Sequence, residues 1–166
     1  MEVEKIELKE EKREPALQIR LHNKMHMEME AIAQNEGLAR VAVAAFMMNL
    51  DPTVEEMNDV KTAVSEAVTN SIIHGYQGRG GKIGITCLLD QDVLQVTVID
   101  RGIGIADVSK AREPMFTTGT ELERSGMGFS FMEAFMDEVT VESIVGIGTK
   151  VIMKKRLSIK NNTMSV

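Results

Sequence analysis

The sequence predicts a single α+β domain, and three observations carry that reading. Alternating apolar and polar residues mark strands at about 24–30, 82–89, 93–99, 139–143 and 149–154. Two longer stretches, from Asn35 to about Asn49 and from Thr53 to about Gly75, repeat their apolar residues at helical spacing. The chain has 166 residues, enough for one sizeable core, and shows neither an internal repeat nor an interdomain linker.

Residues 1–20 are rich in Glu and Lys up to Pro15 and lack apolar periodicity, so they are expected to form a flexible extension. The first strand sets Met25, Met27 and Met29 against His26 and Glu28, the pattern of a half-buried strand, and its small size leaves open an edge strand that pairs with another chain. In the first helix Asn35 is a candidate cap, Leu38, Val41, Ala42, Ala45 and Phe46 are expected inward, and Arg40 outward. Asp51-Pro52-Thr53 breaks the chain. Thr53 with Glu56 has capping-box spacing, and Asp51 before Pro52 is an equally good cap.

The second helix is the informative one. Its apolar stripe is Val60, Ala63, Val64, Ala67 and Val68. Glu66, Asn70 and His74 follow one another at four-residue spacing and form a polar column along the edge of that stripe. A carboxylate and an amide at the border of a core are costly unless satisfied, and a hard cation such as Mg²⁺ would satisfy them. A plain polar helix shoulder explains the same pattern.

A glycine-rich turn, 76–81, leads to a hairpin through Asp90-Gln91-Asp92. Its second strand ends in Asp100-Arg101-Gly102-Ile103-Gly104, where a fixed carboxylate beside a close-approaching backbone could accept a hydrogen bond from the exocyclic amine of adenine. A simple strand-to-loop turn is the alternative. Residues 106–125 read as a long loop or lid. Arg124-Ser125-Gly126-Met127-Gly128 then opens a helix whose free N–H groups suit phosphate, with Met127, Phe131, Ala134 and Phe135 expected inward. The last hairpin crosses 144–148, and the tail from Leu157 is expected to fray.

Composition narrows the function. A net charge of −6 without a basic cluster argues against direct nucleic-acid binding. Cys87 is the only cysteine, so neither a disulfide framework nor a zinc spacing exists, and a reducing, cytoplasmic setting is expected. There is no apolar run of membrane-spanning length and no hydrophobic leader pattern, so no membrane role is expected. Neither the Walker pattern nor the dinucleotide glycine fingerprint occurs.

Each motif is weak alone, but their order is specific. Glu66-x3-Asn70-x3-His74, Asp100-x-Gly102-x-Gly104, a lid, Gly126-x-Gly128 and Gly148-Thr149 together resemble the Bergerat ATP-binding fold, the superfamily of gyrase-type ATPases and histidine kinases. Within it, the stretches 34–43, 65–76, 100–104 and 116–129 are most similar to the sporulation anti-sigma F factors. The likeness extends over about residues 21–158, leaving 1–20 and the polar tail 159–166 outside.

That resemblance implies a two-layer α/β sandwich, a mixed but mainly antiparallel sheet with helices on one face. It implies an ATP- and Mg²⁺-dependent serine kinase that is also an anti-sigma factor. By position, Glu66 corresponds to the general base, Asn70 to the metal ligand, Asp100 to the adenine-binding residue and Thr149 to its support. Gly102, Gly104, Gly126 and Gly128 correspond to the phosphate cradle, with Met127 between them, Thr117 and Thr118 in the lid, and His74 and Gly75 at the site edge. Arg124 corresponds to a γ-phosphate arginine and Arg40 to a partner contact. The implied partners are a sigma factor F, an antagonist protein phosphorylated on serine, and a second copy in a homodimer. Competing readings are an ATP-gated binding module without chemistry and an energy-coupling ATPase. The latter is expected to carry a transducer domain, for which this sequence is too short.

Overall fold

A computed structural model describes residues 22–114 and 128–158. Its five strands are β1 (His22–Glu30), β2 (Lys82–Asp90), β3 (Val93–Asp100), β4 (Glu138–Ile144) and β5 (Gly148–Arg156). They form one sheet in the order β1-β2-β3-β5-β4, and every pairing is antiparallel. β1 lies at the edge of the sheet, the position its pattern left open. Four helices accompany the sheet: α1 (Gln34–Met47), α2 (Val54–Asn70), the single-turn α3 (Val108–Ala111) and α4 (Gly128–Phe135).

Register explains the core. Met25, Cys87, Val96, Met153 and Val139 align across one face, and Met27, Ile85, Val98, Val151 and Val141 form the next row. These rows pack against α1, α2 and α4, with α2 between the other two. The full stripe Val60, Ala63, Val64, Ala67 and Val68 of α2 is buried, as its spacing requires. Burial pushes the Cys87 thiol up to about 12, so this cysteine is a core hydrophobe and not a nucleophile. The third row of the same face changes character: Met29 and Ile83 are followed by Asp100, Thr149 and Ser143. The apolar layer thus ends in a polar margin, and the site lies there.

Several expectations fail for physical reasons. In α1 the buried residues are Ala39, Val43, Phe46 and Met47; of the expected inward residues Phe46 is buried, whereas Leu38 and Val41 are exposed. Small and apolar residues surround this helix, so periodicity alone selects the wrong side. Asn35 does not cap it; its side-chain amide donates to the Glu30 carbonyl at 2.9 Å and ties the helix to the end of β1. In α4 the inward residue is Met132, with Met136 buried just beyond its end, and Phe131 stacks on Phe135 with ring centroids 6.2 Å apart. Finally, the chain does not fray at Leu157, which is buried and whose N–H donates to the Asp92 carbonyl at 2.7 Å. The one-turn helix α3, capped by Asp107, lies within the stretch expected to be loop.

The start of α2 resolves in favour of Thr53. Its hydroxyl accepts the Glu56 N–H at 3.1 Å, and the Glu56 carboxylate accepts the Thr53 N–H at 2.8 Å. The other Glu56 oxygen accepts the Ser158 N–H at 2.7 Å, so one carboxylate also anchors the last described residue. Burial pushes the Glu56 carboxyl up, but these amide hydrogen bonds outweigh it and hold the group below the ordinary glutamate value. A depressed value means stabilisation that is present above the unfolded-state pKa and lost as pH falls through the folded one. We predict that Glu56→Ala costs on the order of 1–2 kcal/mol at neutral pH. Urea unfolding at about pH 7 and about pH 3 checks this, with the difference from wild type shrinking in acid.

Candidate functional site

α2 does not run unbroken to Gly75. It ends at Asn70 and continues as a π-turn over Ser71–Gly75. Single π-turns of this kind recur at functional positions. Glu66, Asn70 and His74 are all half-buried, consistent with a column bordering the core, but His74 lies in the wider turn beyond the regular helix. Ser71, the next residue after Asn70, is only 5% exposed and falls on the buried side.

Asp100 ends β3 with 5% exposure. Its carboxylate takes three donors from three separate elements. Ser71 Oγ donates to Oδ2 at 2.8 Å, and the Gly102 N–H donates to Oδ1 at 3.0 Å. The Thr149 N–H adds a longer bond to Oδ1 at 3.3 Å. A carboxylate offers about four acceptor positions. Among the described residues three are occupied, two on Oδ1 and one on Oδ2, which leaves one on Oδ2.

The glycines here answer to backbone packing. A methyl on Gly102 would lie 2.2 Å from the Gly75 carbonyl oxygen, and one on Gly75 would meet the Asp100 carboxylate at 3.0 Å. Gly104 has φ +74°, and a side chain there would lie 2.3 Å from the Ile144 carbonyl oxygen. The Ile103 N–H donates to Gly75 O at 2.9 Å, and the Gly146 N–H to Ile103 O at 2.8 Å. The loop after β3 is therefore clamped between the π-turn and the β4–β5 turn. Tyr76 closes the other side: its hydroxyl donates to the Lys82 carbonyl and accepts the Arg101 N–H at 2.9 Å.

The opposite end of the column meets α4. A methyl on Gly128 would lie 3.1 Å from the Asn70 amide and 3.2 Å from Glu66 Oε2. A carboxylate, an amide and a helix N-terminus thus converge at one point. Among the described residues there is no group of three or more His, Cys, Asp or Glu that could hold a metal. Mg²⁺ does not need such a cage, because it keeps waters and binds through one or two protein oxygens plus substrate phosphates. Asn70, beside Glu66 and the α4 start, fits that requirement.

Of the sequence-derived site residues, Glu66, Asn70, His74, Gly75, Asp100, Gly102, Gly104, Gly128 and Thr149 line this margin of the core, close to the π-turn or to Asp100. Thr117, Thr118, Arg124, Gly126 and Met127 lie outside the described residues. Arg40 lies on α1, paired with Glu36 at 2.9 Å and with its side chain 43% exposed. Sequence reasoning missed Ser71 and Ser143, the hydroxyls that satisfy Asp100 and Thr149. Ser71 was traceable, since it continues the buried stripe of α2. Ser143 was not, because a serine in a strand carries no signal.

The sequence matches the family of histidine kinase-like ATPase domains over residues 28–155. The anti-sigma F factor of Halalkalibacterium halodurans is 55% identical over 139 residues, covering 83% of this chain and 95% of that protein. The anti-sigma F factor of Clostridium acetobutylicum is 53% identical, covering 84% and 97%. Among solved structures, the RsbU and RsbW domains of a Mycobacterium tuberculosis protein superpose with a TM-score of 0.58 at 20% identity, over 82% of this chain and 32% of that one. The mycobacterial sensor histidine kinase MprB gives a TM-score of 0.52 at 12% identity, over 81% and 99%, and so shares the fold. The chain thus belongs to the histidine kinase-like ATPase family and, within it, to the anti-sigma F factors.

Proposed function

We propose that this protein binds and inhibits the sigma factor F, and that it is also a Mg·ATP-dependent kinase that phosphorylates an antagonist protein on serine. The observation that carries the kinase reading is the meeting of Glu66, Asn70 and the first residue of α4 at one point. Binding a nucleotide does not by itself call for a carboxylate there. Phosphoryl transfer does, because the attacking hydroxyl must lose a proton.

In this reading the adenine amine donates to the open position on Asp100 Oδ2. The phosphates extend along the column toward the N–H groups of α4. When bound, Mg²⁺ would be held through the Asn70 amide oxygen and would supply neutralisation of phosphate charge. The serine oxygen of the antagonist attacks the γ-phosphorus, the bond to the β–γ bridging oxygen breaks, and ADP leaves. Glu66 takes the serine proton. Arg124 is assigned to charge on the transferring group, Thr117 and Thr118 to the lid, and Gly126 and Met127 to the phosphate cradle. These five assignments rest on the family likeness alone.

The partner reading rests on the 52–55% identity to proteins named anti-sigma F factors. Arg40 is a candidate contact, and α1 with the turn after it also exposes Leu38, Val41 and Met48, apolar surface of a kind that partners cover. A homodimer and a cytoplasmic location belong to the same proposal. No described helix is long and apolar enough to cross a membrane.

Two outcomes test these roles. Glu66→Gln is expected to keep ATP and sigma binding while losing about 10²–10⁴ in phosphoserine formation, followed by mass spectrometry; an equal loss of ATP affinity would remove Glu66 as the base. Arg40→Glu is expected to weaken capture of the sigma factor at least about tenfold, with ATP affinity unchanged. Normal partner binding by this variant would return Arg40 to an ordinary surface arginine.

A further inference from the structure

The solvent side of α1 carries an apolar stripe. Leu38, Val41, Ala45 and Met48 follow one another at i, i+3, i+7 and i+10, and all four are exposed, Val41 by 65%. The stripe runs to the end of the helix and into the turn Met48–Leu50. That end lies toward the start of β1. Asn35 fastens the first turn of α1 to the last residue of β1, and the helix packs back along β1 and β2, so its far end returns toward His22. The chain enters β1 at this pole from residues 1–21, which lie outside the described structure. The residues just before β1 differ from the charged stretch that precedes Pro15. Leu17, Ile19 and Leu21 alternate with Gln18 and Arg20. They share the parity of Met25, Met27 and Met29, the β1 residues that pack on the core beneath the helices. Pairing of β1 with β2 begins at His22 opposite Asp90, so a backbone that continues β1 outward leaves the sheet with its apolar side toward the helix layer.

We propose that the segment Leu17–Leu21 of the same chain lies on the Met48 end of the α1 stripe and shields it from protein partners. This inference rests on the partner-binding role proposed for Arg40 and α1. Reach and charge both favour this occupant. Extended, the segment spans about 17 Å, enough to pass an α-helix, whose diameter with side chains is about 10–12 Å. Lys12, Arg13 and Arg20 outnumber Glu14 in the stretch before β1, and the exposed acids between the end of α1 and the first turn of α2 are Asp51 and Glu55. The segment lies outside the family match, which begins at residue 28, so the shield is an addition to the shared domain. Arg40 directly precedes Val41, and a partner seated on Arg40 competes with the segment for one surface. Such a partner binds only the fraction of molecules whose stripe is open, and its apparent affinity falls by that fraction.

The test uses engineered cysteine pairs in the full chain. Cys87 is buried with its thiol pushed up to about 12, so it does not compete with them. Leu17→Cys with Met48→Cys is expected to form a disulfide within one chain at least about tenfold faster than Leu17→Cys with Val54→Cys. Val54 is the more exposed of the two targets, at 77%, but it begins α2 and lies off the stripe. Equal rates would mean that the segment does not settle on the stripe, and disulfides between chains would make a second copy its occupant; either result overturns the proposal. The second readout is capture of the sigma factor by calorimetry. Leu17→Asp with Ile19→Asp is expected to tighten it about three- to tenfold, with ATP affinity unchanged. Capture that is unchanged or weaker in this variant would overturn the shielding. A sigma factor that binds neither wild type nor variant would instead overturn the partner reading of α1, and the disulfide rates would still decide where the segment lies.

Discussion

The buried carboxylate of Asp100 is the constraint on which the rest of the site depends. A carboxylate with 5% exposure is tolerable only if its oxygens are paired. The three donors come from the π-turn, from the loop after β3 and from β5, which brings these segments to one point. That convergence forces backbone against backbone. Gly148 shows it most sharply: it has φ +140°, and a methyl there would lie 2.1 Å from the Asp100 carbonyl oxygen. Glycines that look like a phosphate-binding signature are thus required first by packing around one carboxylate. Any close approach of a ligand uses space that this packing already creates.

Much of this was legible in the sequence, and the failures share a cause. α2 was clear because its apolar stripe is narrow and its polar column distinct. β2, β3, β4 and β5 were clear because alternation and turn residues agree. α1 misled because Ala39, Ala42, Ala44 and Ala45 suit either side of a helix, so exposed Leu38 and Val41 resemble a core stripe. α4 misled in the same way, since Phe131 and Met132 are neighbours and only packing against α2 selects Met132. The π-turn leaves no trace in composition. The anchoring of Leu157 depends on Asp92 and that of Ser158 on Glu56, partners remote in the chain, which local pattern cannot reveal.

The site has two ends joined by the π-turn. At one end Asp100, Ser71, Thr149 and Ser143 form a hydrogen-bonded cluster suited to reading a base. At the other Glu66, Asn70 and the start of α4 suit phosphates and proton transfer. Asn70 and Ser71 are consecutive, so the helix end that positions the proposed metal ligand also donates to the carboxylate proposed to read the base. The proposed binding and chemistry would thereby share one geometry, which is what positioning-dominated phosphoryl transfer needs.

The most direct test of this account is ATP binding by Asp100→Asn. Asparagine keeps the shape and can still accept the Gly102 and Thr149 N–H groups through one oxygen, while its amine can donate to Ser71. At the open position, however, it places a donor where the adenine amine needs an acceptor. The account predicts nearly unchanged thermal stability with ATP affinity at least about tenfold weaker. A folded Asp100→Asn variant that binds ATP as tightly as wild type would contradict it.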